Sequence, residues 1–385
     1  MTSNPSRRNL LPRAGYAVLV VLLVASLAPR AGAADKKKHQ QAQAPPVDIS
    51  KLVWPGPPDV ARIRYVATIT GEDDVNPTPT KKKSSWMDKL AGVSMPQDEG
   101  KPRLQKPYGV AVDSKGRIYV ADGASGRVFV FDLEKKKVAI RGANQLSSPA
   151  GLAIDDTDRL FVADSAQHAI FIFREDGSLE GAFGEGWLHR PAGVALDNEN
   201  RFLYVCDSIE NHVVVFDADT MKYLRVVGAP SDENALPGTF GDPTNVAVDS
   251  EGNLYVSDTF NARVQVFDAD GQFIRMWGKR GSNPGNFMRP KGIAVDGDDH
   301  IYVVDTEFNN VQVFDNQGRI LMFFGDRGET PGKFMLATGI AIDKDGRVIV
   351  TEQWTGRAQI FRYVSEAEAK PEYEKQAKAR DGKPQ

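Results

Sequence analysis

Six carboxylates recur at a similar place along this 385-residue chain: Asp122, Asp164, Asp207, Asp258, Asp305 and Glu352. A ring of such groups could hold a cation. Each one, however, ends an apolar run and opens a polar one, where its side chain can accept the N–H groups of its own turn. A device needed once per repeat appears once per repeat, so a structural role is expected. Asp268-Ala269-Asp270-Gly271 has the opening of a calcium loop, but QFIRMWG follows with no distal carboxylate to complete it. The histidines are His39, His168, His189, His212 and His300. A zinc site needs several to converge, and the two at similar repeat positions, His168 and His212, are offset by one residue. Cys206, the single cysteine, lies in LYVCD where other copies carry Ala, Ser, Val or Thr; it reads as a small packed side chain. No G-x-S-x-G elbow, H-E-x-x-H pair or phosphate loop is present. No catalytic residue, metal site or cofactor is expected.

The elements that position these groups repeat. Runs such as GVAVD, IYVAD and VFVFD recur with first-strand starts at Gly109, Gly151, Gly193, Asn245, Gly292 and Gly339, spaced by 42, 42, 52, 47 and 47 residues. Six copies at this period indicate a repeat architecture. Each holds short runs rich in β-branched and aromatic residues, too short for independent helices. Asp/Gly turns such as DSKG (113–116), DSEG (249–252), DNQG (315–318) and DKDG (343–346) separate them. Four antiparallel strands per copy, six times over, predict an all-β six-bladed propeller. The sixth copy has three strands. RIRYVATITG (62–71) has the character of a fourth, so an N-terminal strand is expected to close the last blade and cover its edge.

The pattern P-x-G-[VIL]-A-[VIL]-D, then [IL]-[YF]-V-x-D, then V-x-V-F-D and a closing F/W-G resembles NHL repeats over about residues 102–363. The resemblance implies a propeller fold. It leaves function open, because NHL-like propellers include protein-binding platforms, RNA-binding platforms and enzymes. In peptide-amidating lyases of this kind, metal-binding histidines lie near the starts of first strands. The matching positions here are Tyr108, Ala150, Ala192, Thr244, Lys291 and Thr338, and none is His.

In a propeller, the loop entering each first strand and the loop leaving each second strand share one face. An apolar residue recurs in the entering loops: Leu104, Leu146, Leu188, Phe240, Phe287 and Phe334. The residue before the Pro position varies instead: Lys106, Ser148, Arg190, Asp242, Arg289 and Leu336. Lys106, Tyr108, His189, Arg190, Arg289, Lys291, Phe308 and Trp354 therefore make a candidate binding face of cations and aromatics, the residue types that anchor interfaces.

The chain's start has a different composition. Arg7, Arg8 and Arg13 precede the apolar run YAVLVVLLVASLA (16–28), and Ala31-Gly32-Ala33 has the small-x-small pattern of a cleavage site. Residues 1–33 read as an export signal, with no transmembrane segment left after cleavage. Both the general secretory and twin-arginine routes remain open. Residues 34–50 read as a flexible leader, 51–71 as the closing strand, 72–101 as an insertion with a short helix at 84–93, 102–364 as the propeller, and 365–385 as a polar, frayed tail. Removing the signal's four arginines takes the formal net charge from −3 to −7, which argues against a nucleic-acid partner.

The expected protein is an exported, periplasmic or extracellular scaffold that binds a protein or extended ligand on its loop face. The alternatives are a metal-dependent lyase or hydrolase with a site in the channel, and a binder of cell-wall sugar.

Overall fold

The second strand of a copy is a near-continuous apolar run closed by an acid, and in a computed structural model of the protein it is buried along nearly its whole length. Ile118–Asp122, Leu160–Asp164, Leu254–Asp258 and Ile301–Asp305 are buried at every residue. A strand covered on both faces needs a continuous apolar run, because neither face meets water. The structure describes residues 47–77, 101–365 and 367–371. The expected signal and the expected helix at 84–93 lie outside the described residues, as does all but the last four residues of the leader.

Six blades follow in chain order. Blade 1 runs Pro107–Val112, Ile118–Asp122, Arg127–Asp132 and Lys137–Arg141. Blades 2 to 5 repeat the plan, with first strands at Pro149–Ile154, Pro191–Asp197, Pro243–Val248 and Pro290–Val295. In each, four antiparallel strands pair in sequence order. Exposure rises outward. Outer strands such as Leu179–Phe183 and Phe273–Trp277 contain no buried residue.

Blade 6 takes Ala337–Ile342, Arg347–Glu352 and Arg357–Tyr363 from the end of the chain. Ile63–Ile69 lies antiparallel beside Arg357–Tyr363, pairing Ile63 with Tyr363 and Ile69 with Ala358. A short fifth strand, Val53–Trp54, pairs outside it. The Trp54 ring reaches Phe324 of blade 5 at 6.1 Å and Phe361 of blade 6 at 5.8 Å. The N-terminal segment therefore packs across two blades as well as completing one sheet, and each large ring it helps bury adds about 1.5–3 kcal/mol.

The first strands line the channel so closely that neighbouring backbones come into contact wherever the repeat's glycine is present; the fourth copy has Asn245 instead. A Cβ at Gly109, Gly151, Gly292 or Gly339 would collide with the carbonyl oxygen of Ala150, Ala192, Thr338 or Tyr108 on the neighbouring blade. The repeat's glycine is thus a contact between blades. The last of these contacts joins blade 6 to blade 1.

The Asp/Gly turns are braced hairpins. Asp268 accepts the N–H groups of Asp270 and Gln272, and Gly271 has a φ of +85°. Of the expected tail, residues 367–371 form a helical turn in which Ala369 is buried and Glu368 pairs with Arg362 at 2.6 Å, and 372–385 lie outside the described residues. Among the described residues no helix is long and apolar enough to cross a membrane.

Candidate functional site

The repeating acids are fully occupied by the scaffold. Asp122 accepts the N–H groups of Gln105 and Lys106 in the entering loop and of Ala124 and Ser125 in its own turn. Asp164, Asp207 and Asp305 take equivalent sets, for example Met288, Arg289, Glu307 and Phe308 on Asp305. All six are buried, and each ties an entering loop to a second-strand exit. Blades 4 and 6 add a buried cation and amide. Asp258 accepts from Arg263 Nε at 2.7 Å and Gln265 Nε2 at 3.0 Å. Glu352 accepts from Arg357 Nε at 2.6 Å and Gln359 Nε2 at 2.7 Å. Burial pushes the Asp258 carboxyl up, against the amide of Gly241, the Asn261 side chain and Arg263. Among the described residues no three His, Cys, Asp or Glu side chains gather as a cation would need.

The channel mouth on this face is asymmetric. The ring position before each first-strand glycine carries Tyr108, Ala150, Ala192, Thr244, Lys291 and Thr338. The two large side chains meet: Lys291 Nζ lies 5.8 Å from the centre of the Tyr108 ring. The two alanines leave space, and a cavity of about 500 Å³ opens beside them. Lys106, Tyr108, Arg190 and Lys291 line it together with Asp242 and the hydroxyls of Ser148, Ser165 and Ser208. Arg190 donates from Nε to Ser208 Oγ at 2.7 Å, and its Nη2 lies 3.4 Å from Asp242 Oδ1. Lys291 has no carboxylate partner among the described residues. Burial, and then repulsion by Arg289, pull its ammonium below the usual lysine range. Burial pushes the Tyr108 phenol up to about 12, against the pull of the neighbouring Asn245 amide. It is therefore a neutral hydroxyl at physiological pH. Asn245, beside the Tyr108 phenol, stands where the other copies have glycine.

The structure thus brings four of the eight predicted residues to one cavity. Arg289 is exposed beside it, close enough to act on Lys291. His189 lies outside the lining and faces Glu210 at 3.3 Å. Phe308 is half-buried in its turn, and Trp354 is 66% exposed. His168 occupies the left-handed position of its turn, with φ +56°, equivalent to Gly126, Asn211, Ala262, Asn309 and Gly356. Its ring meets the His189 carbonyl. His212 is one place further on, which explains the offset seen in the sequence. Cys206 is buried, and burial followed by repulsion from Asp207 raises its thiol well above the usual range. Sequence reasoning did not single out Ser165, Ser208 or Asp242 for the site. Ser165 and Ser208 directly follow a repeating Asp, and Asp242 directly precedes a first-strand Pro, so a strand-end position in the repeat was the available signal.

Comparison with known proteins agrees with this fold. The family described as a 6-bladed beta-propeller matches residues 143–235, 239–305 and 297–364, and the NHL repeat matches 104–131. No curated protein matches the chain. Among solved structures, a protein of unknown function from Bacteroides thetaiotaomicron VPI-5482 is similar, with a TM-score of 0.56 and 19% identity over 67% of this chain and 70% of that one. A gluconolactonase from Xanthomonas campestris gives 0.52 and 19% over 69% and 90%. A virginiamycin B lyase from Staphylococcus aureus gives 0.51 and 13% over 68% and 96%. Likeness at such identities is likeness of fold. With more than half its length matched, the chain belongs to the six-bladed β-propeller family and carries the NHL repeat.

Proposed function

We propose that this protein is an exported, non-enzymatic scaffold that binds a protein or another extended ligand across its loop face. One observation carries the reading. The cavity at the channel mouth gathers Lys106, Tyr108, Arg190 and Lys291 from three blades onto the face where the turns also expose Ile209, Phe260 and Trp354. Cations beside exposed apolar and aromatic groups supply both the charge and the anchor that an interface needs. Export rests on the basic, apolar and small-residue segments of residues 1–33.

The test is crosslinking and affinity capture of the tagged protein from its native cell envelope, beside a variant with Arg190, Arg289 and Lys291 all changed to Glu. One protein recovered with the wild type and lost with the variant is the expected result. Equal recovery by both would overturn the loop-face reading. Stoichiometric metal in the purified protein, with no partner captured, would favour the alternative, a channel lyase or hydrolase of the kind named among the structural relatives.

A further inference from the structure

We infer that the mouth cavity is a carboxylate-binding site, in which Lys291 supplies the counter-charge and the Tyr108 hydroxyl a hydrogen bond. The inference rests on the loop-face reading and names the chemistry that this face recognises.

Space comes first. Ala150 and Ala192 stand where Tyr108 and Lys291 stand on other blades, and the volume they leave, about 500 Å³, accepts a small molecule or the end of a side chain. Charge comes second. Three cations, Lys106, Arg190 and Lys291, face one carboxylate, Asp242. Arg190 is already held by Ser208 and Asp242. Among the described residues Lys291 has no ion-pair partner: its ammonium lies over the Tyr108 ring, and Asp242 acts on it only from a distance, so a closer anion would neutralise a half-buried charge.

The choice of anion follows from what the scaffold has already spent. Phosphate sites are built on free backbone N–H groups. Here the N–H groups of Gln105, Lys106, Ser147, Ser148, His189 and Arg190 all point at the repeating acids. Side chains of the lining remain to meet a ligand, among them the ammoniums of Lys106 and Lys291, the Tyr108 phenol and the Gln353 amide. Asp242 in the same cavity repels a dianion more than a monoanion. A carboxylate fits both conditions. It can belong to a free organic acid or to a peptide, through an acidic side chain or the chain end.

Calorimetric titration of the purified protein separates these sources. The probes are propionate, a five-residue uncharged peptide with a free C-terminal carboxylate, the same peptide amidated, and inorganic phosphate. Propionate, the free peptide or both are expected to bind, with the amidated peptide and phosphate at least roughly tenfold weaker. Lys291→Met is expected to weaken binding roughly tenfold or more. Ala192→Leu, which fills the space and leaves every charge, is expected to do the same. A thermal melt checks that each variant is folded. Should Lys291→Met fail to fold, Ala192→Leu and the weakening of binding by added salt decide alone. Absence of binding by both carboxylate probes, preference for phosphate, or wild-type affinity in the folded variants would overturn the inference. A captured partner without carboxylate binding leaves the scaffold standing and removes this site. Carboxylate binding without a captured partner keeps this site and removes the scaffold.

Discussion

Blades 2 and 3 and blades 4 to 6 make the same kind of sheet but are entered by different loops. Blades 2 and 3 are entered through a single turn: Leu146 N–H bonds the Gly142 carbonyl at 2.8 Å, and Leu188 N–H the Gly184 carbonyl at 3.0 Å. Blades 4, 5 and 6 are entered by longer excursions. Each folds back on itself through a parallel pairing, Pro230 with Phe240, Arg280 with Phe287 and Arg327 with Phe334. The buried hook of the loop is Leu in the first half and Phe in the second. One position in the third strand follows the same division. It is Phe129, Phe171 and Val214 in blades 1 to 3, and Gln265, Gln312 and Gln359 in blades 4 to 6. Each Gln accepts one N–H from its entering loop, from Gly238, Gly285 or Gly332. Each also donates to one carbonyl there, of Thr239, Asn286 or Lys333. A one-turn loop satisfies its own backbone, whereas a long one buried against the sheet needs partners from outside. Among blades 2 to 6, the three with longer entering loops are the three with a polar group in the core beneath.

Breaking the second half should cost more, because it holds both the braces and the chain's two ends. The largest effect is expected from deleting residues 50–71, which removes the strand beside Arg357–Tyr363 and leaves Phe324 and Phe361 uncovered. Such a chain should unfold or aggregate, and a deletion that melts at the wild-type temperature would disprove the strand's role. Arg357→Leu leaves Glu352 buried without its cation. It should cost about 3–5 kcal/mol in denaturant unfolding. Asp164→Asn, at the equivalent acid of the first half, gives up only part of a set of N–H bonds and should cost about 1–3 kcal/mol. Equal losses would erase the distinction between the halves. Gln312→Leu should cost about 1–3 kcal/mol by orphaning Gly285 N–H and the Asn286 carbonyl. Its signature is faster amide exchange confined to 278–289, and uniform exchange would count against a local brace.

The smallest effect compares two first hairpins. Asp113 pairs with Arg117 in blade 1, and Asp296 pairs with His300 at 3.0 Å in blade 5. The bond to Asp296 raises His300 above the usual histidine range. A raised histidine contributes stability that is complete below its unfolded value of about 6.5 and is lost as pH rises through the folded value. The melting difference between wild type and His300→Asn should therefore shrink across that window. The difference for Arg117→Asn should stay level there, since arginine keeps its charge. Parallel pH profiles for the two pairs would refute this.

What the sequence disclosed was local. The acid at a strand exit acts within its own repeat, so Asp122 and its counterparts could be read as loop anchors from their spacing alone. The repeat register also placed Tyr108 and Lys291 at one ring position. It did not reveal that Lys291 packs on Tyr108, because that meeting depends on how far each side chain reaches across the channel. Asp242 and the serines were not placed on the candidate face for the same reason: their types are common in loops, and only the assembled ring shows that they share a cavity. Val53–Trp54 carried too few residues for any periodicity. The glutamine brace was present in plain letters, but its meaning depends on a loop that pairs across twenty-odd residues.

Under the proposed binding role, the touching glycines of the first strands bear on the kinetics of entry at the mouth. Backbones in contact at every junction but the one at Asn245 leave little room to dilate or iris shut, so under the binding reading a ligand would meet a largely pre-formed opening. Arrival is then governed by diffusion and by the pull of Lys106, Arg190 and Lys291, and is slowed by salt. Residence is governed by what the side chains hold once the ligand is inside, and differences among ligands will appear as differences in departure rate.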